Sequence, residues 1–160
     1  INAADPIVLG DTLFISSFDR GCALIRFDAR ESSVIWKNKN IGNHFNSCVS
    51  WNGYVYGVDG NTDQARKELR CVELASGDVK WVYRGLGLGS VTIANGKLIV
   101  LSERGELVIA EASPIAFRPL ARVQVLGGKC WTVPVLANGR IYCRNAKGTL
   151  VCLNVRPGSP

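Results

Sequence analysis

The sequence predicts an all-β fold, a β-propeller segment of about four blades, each a four-stranded antiparallel sheet. Three observations predict it. The first is a phrase that returns along the chain: Val8-Leu9-Gly10-Asp11-Thr12-Leu13-Phe14-Ile15, then Ser50-Trp51-Asn52-Gly53-Tyr54-Val55-Tyr56, then Ile93-Ala94-Asn95-Gly96-Lys97-Leu98-Ile99-Val100, then Leu136-Ala137-Asn138-Gly139-Arg140-Ile141-Tyr142-Cys143. The second is its interval, 42 residues from Asp11 to Gly53 and 43 from Gly53 to Gly96 and from Gly96 to Gly139. The third is its chemistry, in which two apolar runs flank a tight turn that is Asn-Gly in three of the four copies, the pair that hairpins favour. The units fall at residues 7–46, 47–89, 90–130 and 131–156, which makes residues 1–160 a single propeller segment with no room for a second domain. The start at Ile1 and the lack of any Met lead us to expect a piece of a longer product, whose targeting signal is not displayed.

Strands are named a to d from the ring centre outward. In the second unit, strand a is about Cys48 to Trp51 and strand b is Tyr54 to Val58. A long loop from Asp59 to Lys67 leads to strand c at Glu68 to Leu74, and Ala75-Ser76-Gly77-Asp78 turns the chain into strand d at Val79 to Tyr83. The third unit repeats this with a short b–c turn at Glu103-Arg104-Gly105. Its c–d connection, Ala112 to Pro119, holds two prolines that cannot donate ladder hydrogen bonds, so the outer strand starts late. The fourth unit ends at Pro160 before any outer strand.

A second element recurs across the c–d turn. Phe27 to Trp36 aligns with Val72 to Trp81, and in both an acidic residue (Asp28, Glu73) stands eight positions before the Trp. A Trp at this fixed place either covers the seam between blades or packs as an outer-strand core residue, burying about 150–250 Å². Trp36 and Trp81 are structural on either reading.

Net charge is +6, from 19 basic and 13 acidic residues. The basic residues are scattered and no aromatic–basic interleave stands out, which favours solvated surface over a nucleic-acid patch. No stretch approaches the roughly 18 to 20 apolar residues of a transmembrane helix. Of the six cysteines, Cys71, Cys143 and Cys152 sit inside apolar strand runs and Cys22 opens one. With no Cys-x-x-Cys pair they are expected to be buried thiols, with a single bridge in an exported protein as the alternative.

The pattern of apolar strand, Asn-Gly turn, apolar strand, then Glu73-x-x-Ser76-Gly77-Asp78-x-x-Trp81 resembles the repeat of pyrroloquinoline-quinone-type propellers. That family includes quinoprotein alcohol dehydrogenases and BamB-like assembly lipoproteins. The resemblance implies a docking role for Trp36 and Trp81 and an exported, periplasmic bacterial setting. It also implies, for the enzymes, an adjacent Cys-Cys disulfide, a catalytic Asp and a calcium site, and this chain has no adjacent Cys pair.

Strand alternation puts the d–a and b–c connections on one face of the ring, and this face is the candidate functional one. Its candidate ligand-facing residues are Asn43, His44, Asn46, Lys129, Trp131 and Arg144. His44 is the only histidine, so it serves either a structural hydrogen bond or a ligand, and a multi-His metal site is excluded. Trp131 either stacks on a planar ligand or plugs the funnel. Asp59-x-Asn61-x-Asp63 begins like a calcium loop, but Gln64 stands where Gly is needed and Arg70 where the bidentate Glu belongs, so a solvated loop and no metal are expected. Gly85-x-Gly87-x-Gly89 lacks the Lys-Ser/Thr of a phosphate loop and is expected to let the chain cross inward.

These residues predict no catalytic group and no cofactor. The first functional reading is a non-catalytic propeller segment serving as an interaction or ligand-binding scaffold for a protein or small molecule on the d–a/b–c face. The second is part of a pyrroloquinoline-quinone-dependent dehydrogenase, with quinone and calcium, completed by other blades. A glycan-handling propeller ranks third. Four blades of an eight-fold family should also leave two apolar faces free, so a homodimer completing a ring is expected, with Ile1 to Pro6 covering the partner's last blade.

Overall fold

In a computed structural model the described residues are 3–63, 65–156 and 158. They form fifteen strands and no helix, arranged as four antiparallel sheets. Blade one is β1(Ile7–Leu9), β2(Thr12–Ser17), β3(Gly21–Phe27) and β4(Ser32–Asn38). Blade two is β5(Val49–Trp51), β6(Tyr54–Asp59), β7(Glu68–Glu73) and β8(Val79–Arg84). Blade three is β9(Ser90–Ala94), β10(Lys97–Leu101), β11(Glu106–Glu111) and β12(Pro119–Gln124), and blade four is β13(Val135–Ala137), β14(Arg140–Arg144) and β15(Leu150–Asn154). The strands of each sheet pair in sequence order. The all-β propeller expectation therefore holds.

The hairpin turns obey their sequence. Asn52, Asn95 and Asn138 take φ of 47°, 47° and 49°, each followed by a glycine at positive φ, as a type I′ turn requires. In blade three the ladder slips between Ile109 and Ala110, and Pro119 enters at the first position of β12. A strand's first residue is where a missing N–H costs least.

Registry divides each blade into two rows. In blade one Ile7, Phe14, Leu24 and Trp36 stand opposite one another in adjacent strands, and so do Val8, Leu13, Ile25 and Val34. Side chains alternate across a strand, so the two rows occupy opposite faces. The Phe14 row packs on Val55, Val72 and Val79 of blade two. Blade two turns its Tyr56, Cys71 and Trp81 row to Leu98, Val100 and Val108 of blade three. Blade three turns Ile99, Leu101 and Leu107 to Ile141 and Cys143 of blade four. One rule builds all three junctions.

The tryptophans lock the outer ends of these seams. Trp36 Nε1 donates to the Leu74 carbonyl at 2.8 Å, and Trp81 Nε1 donates to the Ser113 carbonyl at 2.8 Å. Each indole thus reaches from strand d of its own blade to the c–d turn of the next. Gly77 lies under Trp36, and a Cβ there would meet the ring at 2.9 Å, so this turn position needs glycine for packing as well as for its φ of 78°. Blade three has no Trp in β12, but its Phe117 packs back on Tyr83 at 4.4 Å and on Trp81 at 5.8 Å.

Two faces have no blade against them. Val8 is 63% and Val34 60% exposed at the outward row of blade one, and Val135 is 55% and Leu150 63% exposed at that of blade four. The placement of Cys152 corrects a sequence expectation. It is exposed, because it shares the outward row with Val135 and Tyr142, whereas Cys22, Cys48, Cys71, Cys130 and Cys143 are buried. All six are free thiols. Asp5 is tied to its own chain, its N–H donating to Ser47 Oγ at 2.8 Å and its carboxylate accepting from that hydroxyl at 3.0 Å. Ala4 and Pro6 line a groove on their own blade one, while Ile1 and Asn2 lie outside the described residues.

Candidate functional site

The d–a and b–c connections gather on one face, and three carboxylates organise it. Asp59 ends β6, Glu68 begins β7 directly opposite it, and Arg84 ends β8 opposite Glu68. Arg70, two residues on from Glu68, carries its guanidinium into the same cluster. Arg70 donates to Glu68 Oε2 through Nε at 3.1 Å and through Nη2 at 2.5 Å, and to the Asn40 carbonyl at 2.6 Å. Its Nη2 also lies 3.0 Å from Asp59 Oδ2. The other Glu68 oxygen accepts from Arg84 Nε at 2.8 Å. Glu68 is 2% exposed, so its charge is tolerable only because two guanidiniums take up its oxygens.

The two carboxylates titrate in opposite directions. Burial pushes Glu68 up, but the hydrogen bonds and charges of Arg70 and Arg84 outweigh it and hold the group below the usual range. Burial wins at Asp59, which stays raised despite Arg70, the Gly42 N–H bond and Arg66. The expected solvated loop is corrected at its first position. Asp59 accepts from the Gly42 N–H at 2.7 Å and faces Arg70 and Arg66. Asn61 accepts from the Asp63 N–H at 3.1 Å, and Gln64 lies outside the described residues.

Glu103, in the b–c turn of blade three, is the third hub. It accepts from the Leu88 N–H and from Trp131 Nε1, both at 3.1 Å, and Lys67 Nζ lies 3.6 Å away. Burial pushes its carboxyl up, but the Leu88 and Trp131 bonds and Lys67 hold it low. Gly87 must be glycine here, since a Cβ would collide with the Glu103 side chain.

Five of the six sequence candidates fall into two groups, and Arg144 belongs to neither. Asn43 and Asn46 are buried supports. Asn43 donates to the Val58 carbonyl at 3.1 Å and accepts from the Cys48 thiol at 2.9 Å. Asn46 donates to the Gly89 carbonyl at 3.0 Å, and Ser90 makes the corresponding bond one blade on, to Thr132, at 2.9 Å. His44, Trp131 and Lys129 instead join one aromatic chain. Phe18 and His44 stand 6.2 Å apart, His44 and Phe45 5.1 Å, and Phe45 and Trp131 5.0 Å, with Lys129 Nζ 4.1 Å over the Trp131 ring. His44 Nδ1 is buried and finds no hydrogen-bond partner among the described residues. Arg144 stands apart, its side chain exposed and its carbonyl accepting from Thr132.

Sequence reasoning missed Glu68, Arg70 and Arg84. The signal was present for the first two: opposite charges at alternate positions of β7, a strand whose Leu69, Cys71 and Val72 are apolar. Burial pushes the Cys71 and Cys143 thiols up to about 11, so both are protonated at neutral pH and are poor nucleophiles.

A family model described as "Outer membrane protein assembly factor BamB" matches residues 2–83, just over half of the chain. The chain belongs to this BamB-like, pyrroloquinoline-quinone-type repeat family. Among curated protein sequences none matches it. BamB from Moraxella catarrhalis is similar in structure at 18% identity and a TM-score of 0.69, covering 99% of this chain and 46% of that one. The computationally designed Ika4 protein is similar at 8% identity and a TM-score of 0.68, covering 94% and 89%. A europium-containing methanol dehydrogenase is similar at 12% identity and a TM-score of 0.55, covering 76% and 24%. These likenesses show the propeller fold, and the chain spans about half the length of the BamB structure it matches.

The buried network gives a pH-dependent prediction. Glu68 is held below its unfolded pKa, so the stability it contributes is full above that value, about 4.3, and is lost as pH falls through the lower folded one. Glu68→Gln leaves Arg70 buried with weaker compensation and should cost about 3 kcal/mol at pH 7. The gap between wild type and variant should narrow in urea titrations carried below pH 4. A pH-independent gap would show that Glu68 is neutral in the folded protein.

Proposed function

We propose that this BamB-like segment is a non-catalytic scaffold in the bacterial periplasm that offers its d–a/b–c face to a protein partner. The observation that supports this reading most is how the polar groups of that face are committed. Asp59, Glu68 and Glu103 each accept from a backbone N–H or a cation, and Asn43 and Asn46 hold the Val58 and Gly89 carbonyls. Such a surface is a rigid platform for recognition, with exposed side chains standing on a fixed base.

The rival reading, a quinone-dependent dehydrogenase, asks for carboxylates able to hold calcium beside the quinone. The donor set does not suit that role, because Asp59 and Glu68 are held by guanidiniums and Glu103 by Lys67 and two N–H donors. Adding pyrroloquinoline quinone with calcium should therefore leave the melting temperature and the quinone absorbance unchanged. A raised melt with a shifted absorbance would overturn the scaffold reading for this segment.

The two uncovered blade faces support a second copy as a further partner. Blade one's outward Leu13 row corresponds, 42 residues on, to the Val55 row that blade two packs against its neighbour. Blade four's Tyr142 row corresponds to the rows that blades one to three turn to their successors. Two copies placed head to tail would repeat the junction already used three times, giving a closed pair rather than a fibre. Light scattering on the purified 160-residue chain should give about twice its 17.3 kDa. A well-folded 17.3 kDa monomer at micromolar concentration would refute the pairing.

A further inference from the structure

The scaffold reading leaves open what chemistry the face recognises, and the cleft between blades two and three bears on that. It is about 650 Å³, open to solvent, and lined by Arg66, Lys67, Arg84 and Arg104, with Glu68 and Glu103 at its base. The two acids and the three arginines differ in kind. Glu68 is 2% exposed with each oxygen occupied by a guanidinium, and Glu103 is occupied by Trp131, the Leu88 N–H and Lys67. The three arginines are exposed, whereas the Lys67 side chain is only 20% exposed and is paired with Glu103. Arg84's side chain is 79% and Arg66's 61% exposed, and Arg104 is exposed, with its carbonyl accepting from Gln124.

Arg84 binds Glu68 through Nε and Nη2. A guanidinium carries five N–H donors in a fixed fork, so Nη1 stays available while the buried carboxylate sets the direction of the fork. Arg66 faces Asp59 more loosely, as an ion pair with 3.4 Å between Nη2 and Oδ2 and no hydrogen bond to that oxygen among the described residues. The orientation cost of the Arg84 side chain is partly met before any ligand arrives. Planar forks of this kind favour carboxylates, which they can take in bidentate fashion.

The shape narrows the class further. Arg66 also lines a neighbouring cleft of about 340 Å³ with Phe18, Asp19 and Lys39. The two clefts meet at Arg66, but Asp19 and Asp59 line the smaller one beside Lys39, so the cationic stretch is the larger cleft, from Arg66 to Arg84 and Arg104. Three exposed guanidiniums along one open cleft suit an extended chain with several carboxylates better than a point anion.

We propose that this larger cleft binds a carboxylate-rich, extended segment of a protein partner, with Arg66, Arg84 and Arg104 as its main contacts. The proposal rests on the scaffold reading and names the chemistry of its partner. The Glu68 carboxylate acts as a positioning residue, setting Arg84 from beneath.

Fluorescence anisotropy with a labelled hexaglutamate peptide and the full 160-residue chain tests it. Binding at low salt should weaken at least about tenfold by 0.3 M NaCl, because the contacts are exposed charges. Arg104→Glu and Arg66→Gln should each weaken binding at least about fivefold with unchanged melting temperatures. Lys97→Glu, on the opposite face beside the Asn95-Gly96 turn, should change it less than about twofold. Inorganic phosphate at millimolar concentration should not displace the peptide. Equal loss from Lys97→Glu would show that net charge alone is responsible and would overturn the assignment, as would displacement by phosphate or no binding by the wild type. None of those outcomes touches the scaffold reading, which fails only on the quinone test.

Discussion

Everything in this molecule depends on one contact made three times, the apolar row of one blade laid against the opposite row of the next. The rows exist because strand side chains alternate and because the hairpin turns fix register to the residue. A slip of one position would exchange Phe14 for Leu13 across blade one and turn its exposed face inward. Asn52, Asn95 and Asn138, each in a left-handed conformation and each followed by glycine, prevent that slip. Trp36 and Trp81 then add direction to a contact that hydrophobic burial alone would leave free to slide. The inner ends of two seams are pinned in the same spirit by Asn46 and Ser90, whose side chains reach carbonyls at the next inner strand.

Rigid seams give the loop face its character. Loops that lack helices or long strands of their own need their backbone polar groups satisfied locally. Here carboxylates and amides do that work from below. Asp59 receives the Gly42 N–H, Asn43 reaches the Val58 carbonyl, and Glu103 receives the Leu88 N–H. The buried ion cluster of Asp59, Glu68 and Arg70 is costly to assemble. What it gains is fixed geometry, with Arg84 held outward at the rim.

Much of the architecture was legible in the sequence because turn chemistry and period-two patterning act locally. The Asn-Gly turns and the late outer strand of blade three followed from residues close together in the chain, and the family resemblance implied the docking of both tryptophans. The candidate site was less legible, because its logic is cross-strand. Asp59, Glu68 and Arg84 are neighbours only through the β6–β7 and β7–β8 ladders, and a long b–c loop hid the first of those pairings. Asn43 and Asn46 drew notice as polar loop residues, which is equally the signature of a loop's internal scaffolding. Cys152 misled for a related reason: an apolar strand run looks the same whether or not a neighbour covers its outward row.

Hydrogen exchange on Trp81→Ala shows whether coupled blade junctions create the fold and stiffen its loop face. The variant should lose about 3 kcal/mol, in the range for deleting a large aromatic side chain. Exchange should also quicken in β6 and β7 of blade two together with β10 and β11 of blade three, since one seam holds both. A loss below about 1 kcal/mol, or faster exchange confined to β8, would contradict it.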